Sequence, residues 1–188
     1  MFRKIACIVC AWLLIACGPG DEQNQLPPVS LPIANELQQQ PNWCWVATTR
    51  QVLVSLPNGP RQSTPPQCAL AAAALGTSAA LCCGNPAACD FPGSPQQQQL
   101  LLAAYGGRSS TIAPPTDPIT LYQAIRAGYG VILFIRGSGR VGHVVVLRGM
   151  YWQAGIPYVV VNDPLQYFVA AVPFQELLQF WQAALVVG

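Results

Sequence analysis

At about residue 130 the chain changes its chemical character, and that change limits the folds open to it. Beyond this point runs of β-branched and aromatic residues dominate, at 131–136, 143–150, 158–162 and 167–172. These residue types suit a pleated, half-buried surface and read as strands. Gly137-Ser138-Gly139 and Gln153-Ala154-Gly155 supply turns between neighbouring runs, so the strands are expected to pair antiparallel. The first half is cut by Pro, Gly and polar clusters into helical stretches. Asn42 is placed to cap a helix over 43–56, stopped by Pro57-Asn58-Gly59-Pro60. A second helix starts after Pro65-Pro66 and reaches Leu75, with Gly76 as its stop. Residues 77–93 read as a loop. Ser94-Pro95 caps a third helix through Gln96-Gln97-Gln98-Gln99 to Tyr105, where Leu100, Leu101 and Leu102 favour packing over low complexity. A short helix over 118–127 precedes the strands, and a last helix over 174–181 closes the chain. Helices first and antiparallel strands second predict an α+β fold with two lobes and no internal repeat.

The first residues set the compartment. Met1-Phe2-Arg3-Lys4 is a basic start, and the apolar run over 5–16 is shorter than the roughly 20 residues a bilayer span needs. It fits a secretory signal. Leu14-Ile15-Ala16-Cys17 resembles the bacterial lipobox, whose cysteine is lipidated and becomes the new first residue; an ordinary signal peptide cut nearby is the alternative. The expected layout is a signal over 1–16, a polar tether over 17–29 and one domain over 30–188, long enough for a sizeable core. Residues 26–33 alternate with prolines and read as an extended edge segment at best. The expected location is that of an exported bacterial lipoprotein, facing the periplasm or the cell exterior.

Charge excludes one class of partner. The chain carries nine Lys and Arg against seven Asp and Glu, and Arg3 and Lys4 leave with the signal. The mature chain is then neutral and has no lysine, so no basic patch offers itself to nucleic acid.

Six of the eight cysteines remain after cleavage: Cys17, Cys44, Cys68, Cys82, Cys83 and Cys89. Outside the cytoplasm the default fate of a cysteine is a disulfide. With Cys17 lipidated, five are left and one must be odd, either in an intermolecular bridge or as a reactive thiol. Cys68, Cys82, Cys83 and Cys89 lie close together and pair most simply with one another. Adjacent Cys82 and Cys83 reach disulfide geometry only with strain, so Cys68 joins one of them and Cys89 the other. Cys44 is left free. A single histidine and a cysteine cluster committed to disulfides leave no credible zinc set, and no cofactor is expected.

Cys44 stands in Q-Q-Q-P-N-W-C-W-V-A, where the first turn of the first helix should be. The unpaired N–H groups and dipole of a helix N-terminus favour a thiolate. The one histidine, His143, opens the run G-H-V-V-V-L. A lone histidine is more often a surface or core residue, but here it accompanies a thiol and candidate partners. Asn162 and Asp163, in V-V-V-N-D-P, can each accept an imidazole N–H and fix its tautomer; taken alone, Asn-Asp-Pro is simply a turn. Gln38 could turn its amide toward a developing oxyanion, with the Cys44 N–H as second donor. Trp43 and Trp45 are expected to pack between the lobes more than to line a cleft.

Together these motifs resemble the compact bacterial papain-like cysteine peptidases, which include secreted virulence peptidases and double-glycine leader peptidases. The order Gln, Cys, His, Asn/Asp follows that group over about residues 30–188, and C-C-G-N-P-A-A-C is similar to its exported members. The interval from Cys44 to His143, about 100 residues, is shorter than the roughly 130 of the plant and lysosomal type. The resemblance implies a papain-like fold, with an N-terminal helical lobe and a C-terminal antiparallel β-sheet lobe. It implies that Cys44 attacks the carbonyl, His143 shuttles the proton and Gln38 completes the oxyanion hole. An aspartate directly before proline matches the compact enzymes, which favours Asp163 over Asn162 as the residue holding His143. The expected protein is thus a lipid-anchored, monomeric cysteine peptidase acting on polypeptides. The competing expectations are an amidase or transpeptidase on cell-wall or isopeptide bonds, and a catalytically silent binding lipoprotein.

Overall fold

The apolar runs of the second half become one sheet buried on both faces. In a computed structural model of the chain, residues 26–56, 64–112, 117–136 and 142–188 are described. The signal segment, Cys17 and the Gly137-Ser138-Gly139 turn lie outside them. In chain order the elements are β1 (Val29–Ser30), α1 (Cys44–Ser55), α2 (Gln67–Leu75), α3 (Ala79–Gly84), a 3₁₀ turn (Pro86–Cys89), α4 (Pro95–Ala104) and β2 (Ser109–Ile112). There follow α5 (Pro118–Arg126), β3 (Gly130–Ile135), β4 (His143–Gln153), β5 (Ile156–Asn162), β6 (Val172–Pro173), α6 (Phe174–Leu178) and β7 (Trp181–Val187). The sheet runs β2-β7-β3-β4-β5-β6, and every pairing is antiparallel. β1 pairs with β4 at Met150 and Gly149, just past the point where β3 leaves it at Leu147.

Alternation along the strands divides the core in two. Ile132, Val144, Val146, Leu185 and Val187 face the helical lobe and pack with Trp43, Trp45, Leu53, Leu70 and Leu102. Val131, Leu133, Val145 and Leu147 face the other way, onto Leu121 and Ile125 of α5 and Phe174 and Leu177 of α6. A strand covered on both sides has no polar face to show, which is why the sequence reads V-I-L-F-I there. Each such side chain contributes about 1.5–3 kcal/mol by leaving water. The α+β arrangement of helices and an antiparallel sheet expected from the sequence is the one observed.

Local signals explain most helix boundaries. Gly76 ends α2 at φ +66°, a left-handed cap that glycine adopts without strain. Ser94 and Gln97 form a reciprocal capping box at the start of α4. The glutamine run is position-specific. Gln98 is fully buried and donates to Trp45 O at 2.6 Å, while Gln99 donates to Thr111 Oγ1 at 3.1 Å.

Four local expectations fail, and one strand was not expected. Asn42 does not cap α1. Trp43 holds that position without a side-chain bond, and the Asn42 amide is spent on Asp90. Residues 77–93 are not a bare loop, since they carry α3 and the 3₁₀ turn. The last helix ends at Leu178, and β7 then runs between β2 and β3; Gln182-Ala183-Ala184 hide that strand because alanine is a poor strand former. The short polar strand β2, at the sheet edge, also passes unseen. Residues 167–172 do not form a strand beyond Val172, because the backbone N–H groups of Tyr167 and Phe168 turn onto the Asp163 carboxylate. Ahead of residue 30, Pro27 O accepts the Tyr122 hydroxyl at 3.1 Å, and Val29 lies in β1.

Candidate active site

α1 starts at Cys44, so the N–H of Cys44 is among the donors that a helix leaves unpaired at its N-terminus. The thiol is half-buried and is the one free cysteine among the described residues. The other four form Cys68–Cys83 and Cys82–Cys89, which selects one of the two pairings the sequence left open. The first turn of α1 is braced from below. Thr48 and Thr49 hydroxyls donate to Cys44 O and Trp45 O, at 2.9 and 2.7 Å, and the buried Gln98 amide joins them.

His143 opens β4, opposite Ile135 of β3. Its Nε2 donates to Asp163 Oδ1 at 2.6 Å, with both side chains almost wholly buried. That leaves Nδ1 as the ring nitrogen available to Cys44, which lines the same cleft. Burial pulls the imidazole down from 6.5. The hydrogen bonds to Asp163 and Cys44, and then the charges of both, more than offset this and raise it to about 9. For Asp163, burial pushes the carboxyl up. The bonds from His143 and the Leu165 N–H, the imidazolium charge and the Phe168 N–H outweigh it and hold the group below its ordinary value. The site therefore carries an imidazolium and a carboxylate at neutral pH. Asn162 points elsewhere: its Oδ1 accepts Arg148 Nε at 2.8 Å, and its Nδ2 donates to Ile33 O at 2.8 Å.

Asp163 organises more than the histidine. Oδ1 also accepts Leu165 N–H at 2.8 Å, and Oδ2 accepts Tyr167 N–H at 2.8 Å and Phe168 N–H at 3.1 Å. This tight loop carries Gln166 at φ +61° and sets the exposed Tyr167 ring edge-on to His143, centroids 5.7 Å apart.

Gln38 lies beside the loop that follows Asp163, on a segment pinned from both lobes. The buried Gln67 amide donates to Leu37 O and accepts Gln39 N–H, and Gln38 N–H donates to Pro164 O at 3.3 Å. The Gln38 Nε2 group donates to Gln40 O at 2.9 Å and Pro41 O at 2.7 Å. Donation to an oxyanion therefore requires one of these bonds to be exchanged.

A cleft of about 380 Å³ brings these elements together, lined by Asn42, Cys44, Trp45, Gly93, His143 and Tyr167 among others. Trp43 and Trp45 are buried at 0% and 1% exposure, so packing is their main role, although Trp45 contributes to the cleft wall. Sequence reasoning missed Asp90, Gly93, Gln98 and Tyr167. Only Asp90 gave a signal, as the acidic residue directly after the last cysteine of the cluster.

A helix that begins at a cysteine, packed against an antiparallel sheet that begins a strand with histidine, is the architecture of a papain-like cysteine peptidase. The Peptidase_C39-like family model matches residues 24–185. The chain belongs to that family and is a cysteine peptidase. Among solved structures, it is similar to the peptidase domain of Streptococcus ComA, a bifunctional ABC transporter involved in quorum sensing. That match has a TM-score of 0.58 and 14% identity, over 83% of this chain and 98% of the other. It is similar too to a double-glycine-motif protease from an AMS/PCAT transporter, in complex with its leader peptide, at TM-score 0.51 and 15% identity over 87% and 98% of the two chains. A C39-like peptidase from Bacillus anthracis matches at TM-score 0.52 and 15% identity, over 86% and 98%. No curated protein matches the chain.

Proposed function

We propose that the chain is an exported, lipid-anchored peptidase that cleaves polypeptides through Cys44, His143 and Asp163. The observation that carries this reading is the single imidazole hydrogen-bonded to a buried carboxylate and lining the same cleft as a free thiol at a helix N-terminus. The Cys44 thiolate attacks the scissile carbonyl carbon, forming a C–S bond and an oxyanion. The Cys44 N–H lies beside that oxygen, and Gln38 joins it by giving up a backbone carbonyl. Collapse breaks the C–N bond, and the His143 imidazolium passes its proton to the leaving amine. Water then gives a proton to His143 and attacks the thioester; the C–S bond breaks and the carboxylate product leaves. Asp163 holds the ring and its charge throughout.

A polypeptide substrate is supported by the open cleft and by the peptide-bound relative. The lipid anchor rests on Leu14-Ile15-Ala16-Cys17. The test is peptide-library turnover with Cys44→Ala and His143→Ala. Each should abolish cleavage while the fold survives, and the double variant should be no worse than either, because the two act as one unit. Undiminished cleavage by Cys44→Ala would remove the nucleophile from this account.

A further inference from the structure

Outside the reacting groups, one carboxylate grips the turn that leads into the nucleophile. Asp90 Oδ1 accepts the backbone N–H of Asn42 at 2.8 Å, and Oδ2 accepts Asn42 Nδ2 at 3.2 Å. The carbonyl of the same peptide unit, that of Pro41, accepts Gln38 Nε2 at 2.7 Å. The Pro41–Asn42 peptide, two residues before Cys44, is thus held at both ends. On either side of Cys44 the indole N–H groups of Trp43 and Trp45 donate to Cys89 O at 2.8 Å and Phe91 O at 3.0 Å. Gly93 closes against the Trp45 ring so tightly that an added Cβ would lie 2.1 Å from Cδ2. The whole 89–93 segment hangs from Cys89, which the buried Cys82–Cys89 disulfide ties to α3.

We propose that Asp90 is a positioning residue of this peptidase, fixing Cys44 and Gln38 relative to one another through the Pro41–Asn42 peptide. The proposal rests on Cys44 being the nucleophile. Its logic lies in the Gln38 amide, whose two donors are both engaged with backbone carbonyls. When Gln38 releases the Pro41 carbonyl for an oxyanion, the N–H face of that peptide is still held by Asp90, so the turn does not follow. Without Asp90 the exchange frees the peptide just ahead of the helix N-terminus. A displacement of about 1 Å at a reacting group costs on the order of a hundredfold in rate. In the free enzyme, too, the peptide without Asp90 is held only at its carbonyl, which loosens the approach to Cys44; the loss falls on turnover more than on substrate capture.

The experiment uses the full chain with both disulfides formed, a cleaved peptide, and iodoacetamide as a separate probe of Cys44. Asp90→Ala should lower kcat by about 10- to 100-fold, leave KM within about threefold and slow alkylation of Cys44. Asp90→Asn should recover most of that loss: its Oδ1 accepts the Asn42 N–H, and the Asn42 amide turns its oxygen to the new NH₂. A folded Asp90→Ala enzyme with wild-type kcat overturns the proposal, as does an Asn variant no better than Ala. Where Asp90→Ala fails to fold, the exchange Asn42→Asp with Asp90→Asn decides. Asn42→Asp alone sets two carboxylates face to face and lowers kcat, and adding Asp90→Asn restores it; no recovery overturns the proposal. If the wild type cleaves no peptide while alkylation still slows in Asp90→Ala, the peptidase reading falls and the positioning role stands.

Discussion

Replacing Asp163 with asparagine changes one atom and should cost far more than isosteric replacements usually do. From the sequence alone, asparagine would fall between aspartate and alanine, because its amide oxygen can still accept the imidazole N–H. The structure argues otherwise. Oδ1 receives His143 Nε2 and Leu165 N–H, and Oδ2 receives Tyr167 N–H and Phe168 N–H. Either orientation of the amide therefore sets an NH₂ group against a fixed backbone donor in a side chain with no exposed surface: against Leu165 N–H on the His143 side, where the ring can change tautomer and accept, or against Tyr167 and Phe168 N–H on the other. Hydrogen bonds to a charged group contribute about 1.5–3 kcal/mol each, so losing one or two amounts to about 1.5–6 kcal/mol. That is a large share of a stability of about 5–15 kcal/mol. Urea unfolding in a Cys44→Ala background, which prevents self-cleavage, measures it: the midpoint should drop without a change in slope. Asp163→Asn should be no more stable than Asp163→Ala, and turnover in the active background should be lost in both. A midpoint shift worth less than about 1 kcal/mol for Asp163→Asn would show that the four-donor arrangement does not hold the loop.

Three further outcomes can be tested. In the proposed mechanism the His143 imidazolium protonates the leaving amine, and its hydrogen bonds raise it to about 9, so kcat/KM should fall as pH rises through that value. The same raised value stabilises the fold fully below about 6.5, and that contribution disappears as pH climbs through about 9; an alkaline limb near 6.5 would contradict it. Gly93→Ala drives a methyl into the buried Trp45 ring and should cost about 1–3 kcal/mol by overpacking, read from denaturant midpoints, with a larger relative loss of turnover than of stability. Cys17→Ala should leave the protein unlipidated, and wild type should partition with detergent through its acyl chains; efficient release of unlipidated wild-type protein into the medium would refute the anchor.

What the sequence made legible was chemistry concentrated in scarce residues. One histidine, one odd cysteine and one Asn-Asp-Pro left few ways to build a nucleophile–base pair, and the long β-branched runs left few ways to place it. What stayed hidden depends on long-range partners. β7 is defined by β2 and β3 on its two sides, and its own Gln182-Ala183-Ala184 carries little strand preference. The Asn42–Asp90 bonds join residues 48 apart, and nothing near Asn42 announces that its amide is committed there and not to the helix cap.

The same long-range logic makes the loop after Asp163 a junction between the lobes. Asn35 Nδ2 donates to Asp163 O at 3.0 Å, and Gln38 N–H donates to Pro164 O at 3.3 Å. The backbone that presents the carboxylate to His143 therefore also receives the segment that carries Gln38. In the proposed mechanism base, orienting carboxylate and oxyanion donor are thus coupled through two peptide units, and the nucleophile meets them where α1 packs against the sheet. A lesion at Asp163 should consequently disturb Gln38 as well as His143. Combined with Gln38→Ala, it should then show less than additive loss of turnover, as expected for residues sharing partners. Strict additivity would mean that the two lobes hold their parts of the site independently.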